Sequence, residues 1–147
     1  MKTISFLLLS LAVLMAAPAI PFRAATDDHP SEETAPCTLS SANGAYGFVE
    51  SGTIIGLGPY ASAGTVISDG EGGMKGIFAE NAAGLVTNNI TFSGTYTVNP
   101  DCIGTLIFTD NRGRTASRAA VIVQHGKEID YIFSVRGIPG TGVAKRQ

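Results

Sequence analysis

Eight aromatic side chains are the residues of this sequence best suited to hold a ligand, because each falls on the apolar face of a segment in which apolar and polar residues alternate. If those segments form one barrel, this face points inward, and an eight-stranded barrel is just wide enough to fill with side chains or to hold one small ligand. Tyrosine hydroxyls at three of these positions would orient the ligand. The alternative is a dry, filled interior. The predicted ligand-binding residues are Tyr46, Phe48, Phe78, Phe92, Tyr96, Phe108, Tyr131 and Phe133.

Catalytic chemistry has little support in the residue types. Nucleophilic catalysis needs a nucleophile, a base and an orienting group. The one histidine of the predicted folded region, His125, lies at a predicted hairpin tip, where a solvated side chain is the usual case. We therefore predict no catalytic residue. An enzyme that merely shapes a reactive substrate would still need an inward ionisable group, and Glu50 and Glu80 are the nearest candidates.

Metal, cofactor and anion sites are also poorly supported. Residues 69–72, Asp-Gly-Glu-Gly, resemble a fragment of a calcium loop but lack the remaining ligands, so we interpret them as a turn. We predict no metal site and no cofactor. A basic cluster of Arg112, Arg114 and Arg118 would suit an anionic ligand, or it supplies solubilising charge beside Asp110.

The predicted mature chain contains two cysteines, Cys37 and Cys102. An even number of cysteines in an exported domain favours a disulfide over two free thiols. We predict that these two are bonded. The bond would close a loop of about 65 residues, worth roughly 4 kcal/mol by chain-entropy reasoning.

Strands joined by tight turns are the elements that must position these side chains. In residues 89–98 apolar and hydroxyl side chains alternate with a period of two, and the longest predicted strand is expected to bulge near Asn88 or Gly94. The pattern predicts an all-β, single antiparallel up-and-down barrel of about eight strands, in which the first and last strands pair. A β-sandwich is the main alternative, and an outer-membrane barrel is disfavoured by the short strands and the Thr- and Ser-rich outer face. The predicted strands are residues 46–50, 60–68, 74–80, 85–98, 103–109, 115–124, 128–136 and 140–146.

The beginning of the chain predicts export. Lys2 precedes an apolar run over residues 4–15, which is shorter than a membrane span, and small residues follow it. We predict a signal peptide at 1–19, a flexible leader at 20–36 and a barrel domain at 37–147, with the protein secreted or periplasmic and without a membrane span after cleavage. A net charge of -2 gives no electrostatic reason to bind nucleic acid, and no pattern indicates an oligomeric state.

Three motifs carry a resemblance to a family: GAYGF at 44–48, GTVISDGEG at 64–72 and GTYTVNPDCIGT at 94–105. They resemble those of an uncharacterised family of small exported bacterial β-barrel proteins. The resemblance implies a lipocalin-like (calycin-like) barrel, or one similar to the barrels of allene-oxide cyclase and dirigent proteins. Its motifs are turn and core motifs, so no catalytic residue is carried over, and fold alone does not fix function.

Three hypotheses about function follow. The leading one is non-enzymatic binding of a small apolar or amphipathic ligand in the barrel interior. The second is a cyclase or isomerase with an allene-oxide-cyclase-like barrel. The third is an envelope-associated structural or interaction protein that acts through its outer face.

Overall fold

Alternating apolar and polar residues form eight strands in the computed structural model, which describes residues 35–147. Each strand is antiparallel to the next, and β8 pairs with β1, so the sheet closes into an up-and-down barrel. The predicted fold class and the pairing of the first and last strands are confirmed, and the alternative β-sandwich is wrong. The strands are β1 (Gly44–Ile54), β2 (Gly58–Ser68), β3 (Gly73–Ala82), β4 (Leu85–Val98), β5 (Ile103–Asp110), β6 (Thr115–Val123), β7 (Glu128–Phe133) and β8 (Gly140–Arg146).

Six strands differ in length from their prediction, and for β1 and β7 the local cause is clear. Strand β1 is longer than residues 46–50, because residues 51–54 pair with β2 and the turn that follows is only three residues. Strand β7 ends at Phe133 rather than at residue 136. Gly137 there has a φ of 81°, and Pro139 has no amide hydrogen for a ladder bond, so residues 134–139 form a loop.

The predicted bulge in β4 is confirmed at the first of its two expected sites. The pairing register between β3 and β4 shifts between Phe78, which faces Ile90, and Glu80, which faces Thr87. The extra residue lies at positions 88–89, where Asn89 has a φ of 56°. The bulge bends the strand while Ile90 and the residues after it keep their inward direction.

One end of the barrel is plugged. A short 3₁₀ helix, Leu39–Ala42, lies at the end formed by turns 69–72, 99–102 and 124–127. The predicted disulfide, Cys37–Cys102, is present and ties the segment before this helix to the second of those turns. We call this end, from residue 37 to residue 42 with the three turns, the plugged end.

The opposite end is the mouth, formed by turns 55–57, 83–84 and 111–114 and by loop 134–139. The predicted signal peptide, residues 1–19, lies outside the described residues, and so does the predicted leader apart from residues 35 and 36. Those divisions remain predictions. Within residues 35–147 no helix has the length and apolar character needed to cross a membrane.

Candidate functional site

The barrel interior contains a cavity of about 180 Å³. It extends from Met74 and Ala144, toward the plugged end, to Ile54 and Ile138 at the mouth. Six of the eight predicted ligand-binding residues line it: Phe48, Phe78, Phe92, Phe108, Tyr131 and Phe133.

Four phenylalanine rings form a continuous wall of the cavity. The ring centroids of Phe48 and Phe78 are 6.4 Å apart, those of Phe78 and Phe92 are 5.8 Å apart, and those of Phe92 and Phe108 are 5.0 Å apart. All three pairs are tilted or edge-on, the arrangements that aromatic pairs prefer. The wall therefore offers both ring faces and ring edges to an occupant.

Glycines on neighbouring strands make room for these rings. Gly64 pairs with Phe78, and Gly94 pairs with Phe108. A Cβ atom at either glycine would collide with the backbone of the facing strand and with the aromatic side chain. A glycine opposite an aromatic residue is a known way to pack a ring flat against a curved sheet.

The other two predicted residues, Tyr46 and Tyr96, lie toward the plugged end and are not among the lining residues. The hydroxyl of Tyr46 donates to the carbonyl oxygen of Gly126 at 2.9 Å, and that of Tyr96 donates to the carbonyl oxygen of Leu39 at 3.1 Å. The Tyr46 hydroxyl thus fixes turn 124–127, and the Tyr96 hydroxyl fixes the 3₁₀ helix of the plugged end. The predicted role of these two hydroxyls as ligand handles does not fit this geometry.

A buried ion pair crosses the interior between β1 and β6. The Arg118 guanidinium donates to both carboxylate oxygens of Glu50, at 3.1–3.2 Å, and the two side chains are 7% and 6% exposed. The hydroxyls of Tyr60 and Ser62 donate to the same carboxylate, at 3.0 and 2.9 Å. The guanidinium carbon also lies 3.8 Å from the ring centroid of Phe133. Every charged atom of the pair is therefore satisfied.

A second charged cluster closes one side of the mouth. Arg112 and Arg114, from the β5–β6 turn, both donate to Glu80 on β3 and to Asp110 at the end of β5, at 2.6–3.1 Å. The acidic side chains are 5% and 3% exposed. The arginines of the predicted basic cluster are therefore already paired with carboxylates of the same chain, which leaves no unpaired arginine among them to bind an anionic ligand.

The charges of the cavity thus balance. Three arginines are matched by three carboxylates. Arg118 pairs with Glu50, and Arg112 and Arg114 together pair with Glu80 and Asp110. An ionised ligand placed among them would lose its hydration without gaining an unmatched counter-charge. The arrangement suits an uncharged occupant.

Two tyrosines supply the polar groups beside the aromatic wall. Burial raises the pKa of Tyr60, and the negative charge of Glu50 raises it further. Burial and the same carboxylate raise the pKa of Tyr131. Both phenols therefore stay protonated at any physiological pH and offer hydroxyl groups rather than a base.

Among the lining residues that the sequence prediction of the cavity omits, Tyr60 and Arg118 matter most for its polarity, and Arg118 enters that prediction only as part of the basic cluster. Both could have been found by counting positions along their strands. Tyr60 is an even number of residues from Ser62, Val66 and Ser68 on β2, and Arg118 is an even number of residues from Ala120 and Ile122 on β6, so both side chains lie on the inward face with those residues. Counting along a strand does not, however, show which residue of one strand faces which residue of another across the barrel.

His125 and the acidic turn lie away from the cavity, at the plugged end. His125 is exposed within the short 3₁₀ helix Gln124–Gly126. The carboxylate of Asp69 accepts the backbone N–H groups of Glu71 and Gly73, which lowers its pKa and explains the segment as a turn. Within the described residues no group of His, Cys, Asp and Glu side chains is arranged to hold a metal ion.

The barrel is similar in fold to designed proteins. A fluorescence-activating β-barrel made by de novo design has 14% sequence identity and a TM-score of 0.56, over 76% of this chain and 99% of that chain. A redesigned β-barrel, mFAP1, bound to DFHBI has 14% identity and a TM-score of 0.56, over 74% of this chain and 98% of that chain. No protein-family model and no curated protein matches the sequence. The likeness confirms the eight-stranded barrel, whereas the resemblance to exported bacterial proteins and to lipocalins is not confirmed.

Proposed function

We propose that this barrel binds a small, uncharged, largely apolar molecule about the size of one substituted aromatic ring. The observation that carries the proposal is a cavity of about 180 Å³ that has a phenylalanine wall and balanced internal charges. The designed barrel of the same fold that is bound to DFHBI supports the idea that such an interior accommodates a ligand.

The volume sets the size of the ligand. Drug-sized ligands occupy pockets of roughly 300–1,000 Å³, whereas an engineered cavity of about 150 Å³ lined by aliphatic and aromatic side chains binds benzene. The cavity here, at about 180 Å³, falls next to the second case. A ligand of one ring with one or two small substituents fits without displacing side chains.

The polar groups set the character of the ligand. Since each buried carboxylate is already held by a guanidinium, a charged ligand gains little, and the phenol of Tyr131 is left to orient a single hydroxyl or carbonyl group. We expect neutral p-cresol to bind more tightly than benzoate or benzylamine, which have the same ring with a negative or positive charge.

Titration of the purified protein with these three probes tests the proposal. Because p-cresol absorbs and emits at the same wavelengths as tyrosine, NMR shifts of the phenylalanine rings that line the cavity are the measurement that reports binding directly. Ala116→Phe, which fills a lining position, should weaken p-cresol binding by about tenfold or more. Ala63→Phe, on an outward-facing position of β2, is the matched control and should leave binding unchanged. Equal affinity in both variants, or no binding of any neutral probe, would contradict the proposal.

The alternative of a cyclase or isomerase has one specific observation in its favour, because Glu50 and Glu80 both line the cavity as that hypothesis requires. The oxygens of both side chains already accept hydrogen bonds from arginines, so neither carboxylate is free to contact a substrate without breaking an ion pair. Ligand binding is therefore the better-supported function. If an enzyme is present, Glu50→Gln should abolish turnover of a bound substrate.

We further infer that the protein is exported. The Cys37–Cys102 disulfide supports this, because such bonds persist mainly in oxidising, extracellular-type environments. Intact mass of the protein recovered from culture medium or periplasm tests both export and removal of residues 1–19.

A further inference from the structure

The mouth carries an unusual concentration of exposed aliphatic side chains. Among the large hydrophobic residues of the described chain, the four most exposed are Leu85, Ile55, Leu57 and Val86, at 72%, 71%, 60% and 58%. All four belong to the β1–β2 and β3–β4 turns or to the first residues of β4. We call these four side chains the apolar rim.

Backbone hydrogen bonds join the turns of the apolar rim into one surface. The amide of Ala83 donates to the carbonyl oxygen of Pro59 at 2.7 Å, which fixes the two turns side by side. On the other flank, the amide of Ile55 donates to the carbonyl oxygen of Gly137 at 2.8 Å. The rim is thus continuous with loop 134–139, which contains the exposed Arg136.

The exposed charge at the mouth is cationic. Glu80 and Asp110 are buried there, whereas the Arg112 and Arg114 side chains that pair with them are 31% and 53% exposed, and Arg136 is exposed as well. The plugged end is mixed, since its exposed residues are the acidic Asp69, Glu71 and Asp101 and the basic Lys127, Lys145 and Arg146. An anionic surface would therefore attract the mouth, whereas the plugged end has no such excess of one sign.

We propose that the mouth docks on the surface of an anionic lipid bilayer, with the apolar rim inserted among the headgroups and Arg136 beside their phosphates. Apolar side chains at a bilayer surface enter roughly 5–10 Å into the boundary between headgroups and acyl chains, a depth that narrow turns can reach. Four side chains on two convex turns can bury much less surface than the roughly 800 Å² per partner that a stable protein interface buries. A second copy docked mouth to mouth would also bring the cationic groups together. This inference does not depend on the cavity having a ligand.

Single tryptophans test the orientation, because the chain has none of its own. Leu85→Trp places a reporter on the apolar rim, and Ile67→Trp places one on the outer wall at a position that is 53% exposed. With vesicles of phosphatidylcholine and phosphatidylglycerol that contain brominated lipid, we expect strong quenching of Leu85→Trp and little quenching of Ile67→Trp. Equal quenching at the two positions, or none at either, would overturn the proposal.

Vesicle co-sedimentation of the full chain tests the two components of binding. Leu57→Ser with Leu85→Ser should weaken binding by at least about tenfold, since each removes a side chain that would leave water. Ile67→Ser with Ile107→Ser, on the outer wall, is the matched control and should have no effect. Both pairs share the same N-terminal apolar run, so the difference between them reports on the rim alone.

Arg136→Gln should weaken binding about fivefold on vesicles with phosphatidylglycerol and leave binding to pure phosphatidylcholine unchanged. Circular dichroism confirms that each variant is folded. Light scattering over a range of concentrations tests self-association as the alternative role of the apolar rim. If the unaltered protein forms a dimer and does not bind vesicles, and if Leu57→Ser with Leu85→Ser abolishes that dimer, the rim is an interface between two copies of the chain and the proposal is wrong.

Discussion

Arg118 and Glu50 place two full charges inside a barrel that otherwise presents aromatic rings to its cavity. Removing such charges from water is costly, and their mutual attraction compensates only when the geometry is good and the remaining polar atoms are bonded. Both conditions hold here, since both carboxylate oxygens accept from the guanidinium and the hydroxyls of Tyr60 and Ser62 also donate to Glu50. The pair specifies how β1 and β6 face each other across the interior.

Removing one partner should therefore be more damaging than removing both. Arg118→Met leaves the Glu50 carboxylate buried without its counter-charge, and we expect the free energy of unfolding to fall by about 3–5 kcal/mol. The measurement is urea unfolding followed by circular dichroism. Arg136→Met, which truncates an exposed arginine, is the control and should change stability by less than about 0.5 kcal/mol.

The double variant Glu50→Gln with Arg118→Met completes the cycle. It should lose less stability than the sum of the two single variants, because neither charge is left alone. Strict additivity would mean that the two side chains do not interact in solution.

The phenols of Tyr60 and Tyr131 predict how stability depends on alkaline pH. Burial and the charge of Glu50 raise the pKa of both groups in the folded state. Their contribution is therefore complete below the unfolded value of about 10 and is lost as the pH rises above it, by up to about 1.4 kcal/mol per pH unit for each phenol. Unfolding by urea at a series of pH values, with phenolate absorbance as a second signal, measures this slope.

Tyr60→Phe should remove about half of that slope. Ionisation of all 4 tyrosines near pH 10, without loss of the barrel, would contradict the burial of these two side chains.

Among the strands, the glycines have the clearest structural role. Gly94 on β4 leaves the space in which the facing backbone of β5 and the side chain of Phe108 pack. Gly47 on β1 also lies within a strand, but a Cβ there would meet only the flexible end of Gln147, at 3.0 Å. The same residue type thus has different importance at the two positions.

Gly94→Ala should destabilise the barrel by about 1–3 kcal/mol, because the added methyl group has no room. Gly47→Ala should be close to neutral. Thermal unfolding of the two variants side by side tests the contrast, and equal effects would show that the glycine contributes through chain entropy rather than through space.

Sequence reasoning performed best for the strands and poorly for contacts across the barrel. The bounds of β4 and β8 agree with their predictions, since alternation and turn residues are local signals. The match of Arg118 with Glu50 joins residues that are 68 positions apart, and it depends on how the closed sheet brings β1 and β6 to face each other. The same limit explains the tyrosines: parity places Tyr46 and Tyr96 inside, but only the plug decides that their hydroxyls bond to its backbone.

For the molecule as a whole, closure of the sheet and closure of the disulfide act together. Pairing of β1 with β8 removes both open edges, which protects an all-β chain from edge-to-edge association. The Cys37–Cys102 bond spans a sequence separation of 65 and ties the plug to the turn after β4. The bond restricts the unfolded chain over strands β1–β4, which are half of the strands of the barrel.

Replacing both cysteines by alanine should lower the free energy of unfolding by about 4 kcal/mol, because the unfolded chain regains the entropy of that loop. Urea unfolding of the variant is compared with that of the unaltered protein with and without reductant. The reduced protein and the double variant should coincide. If neither the reduced protein nor the double variant is less stable than the unaltered protein, the disulfide does not stabilise the part of the chain that unfolds cooperatively.

Both ends of the described chain emerge at the plugged end. The amide of Cys37 donates to the carbonyl oxygen of Pro100, and the amide of Gln147 donates to the carbonyl oxygen of Ala45. An affinity tag, a surface linker or a fused protein attached after Gln147 would consequently be held at the end of the barrel opposite the mouth. Molecules immobilised in this way would all present their entrance to the solution, which makes the barrel a convenient scaffold for oriented sensors.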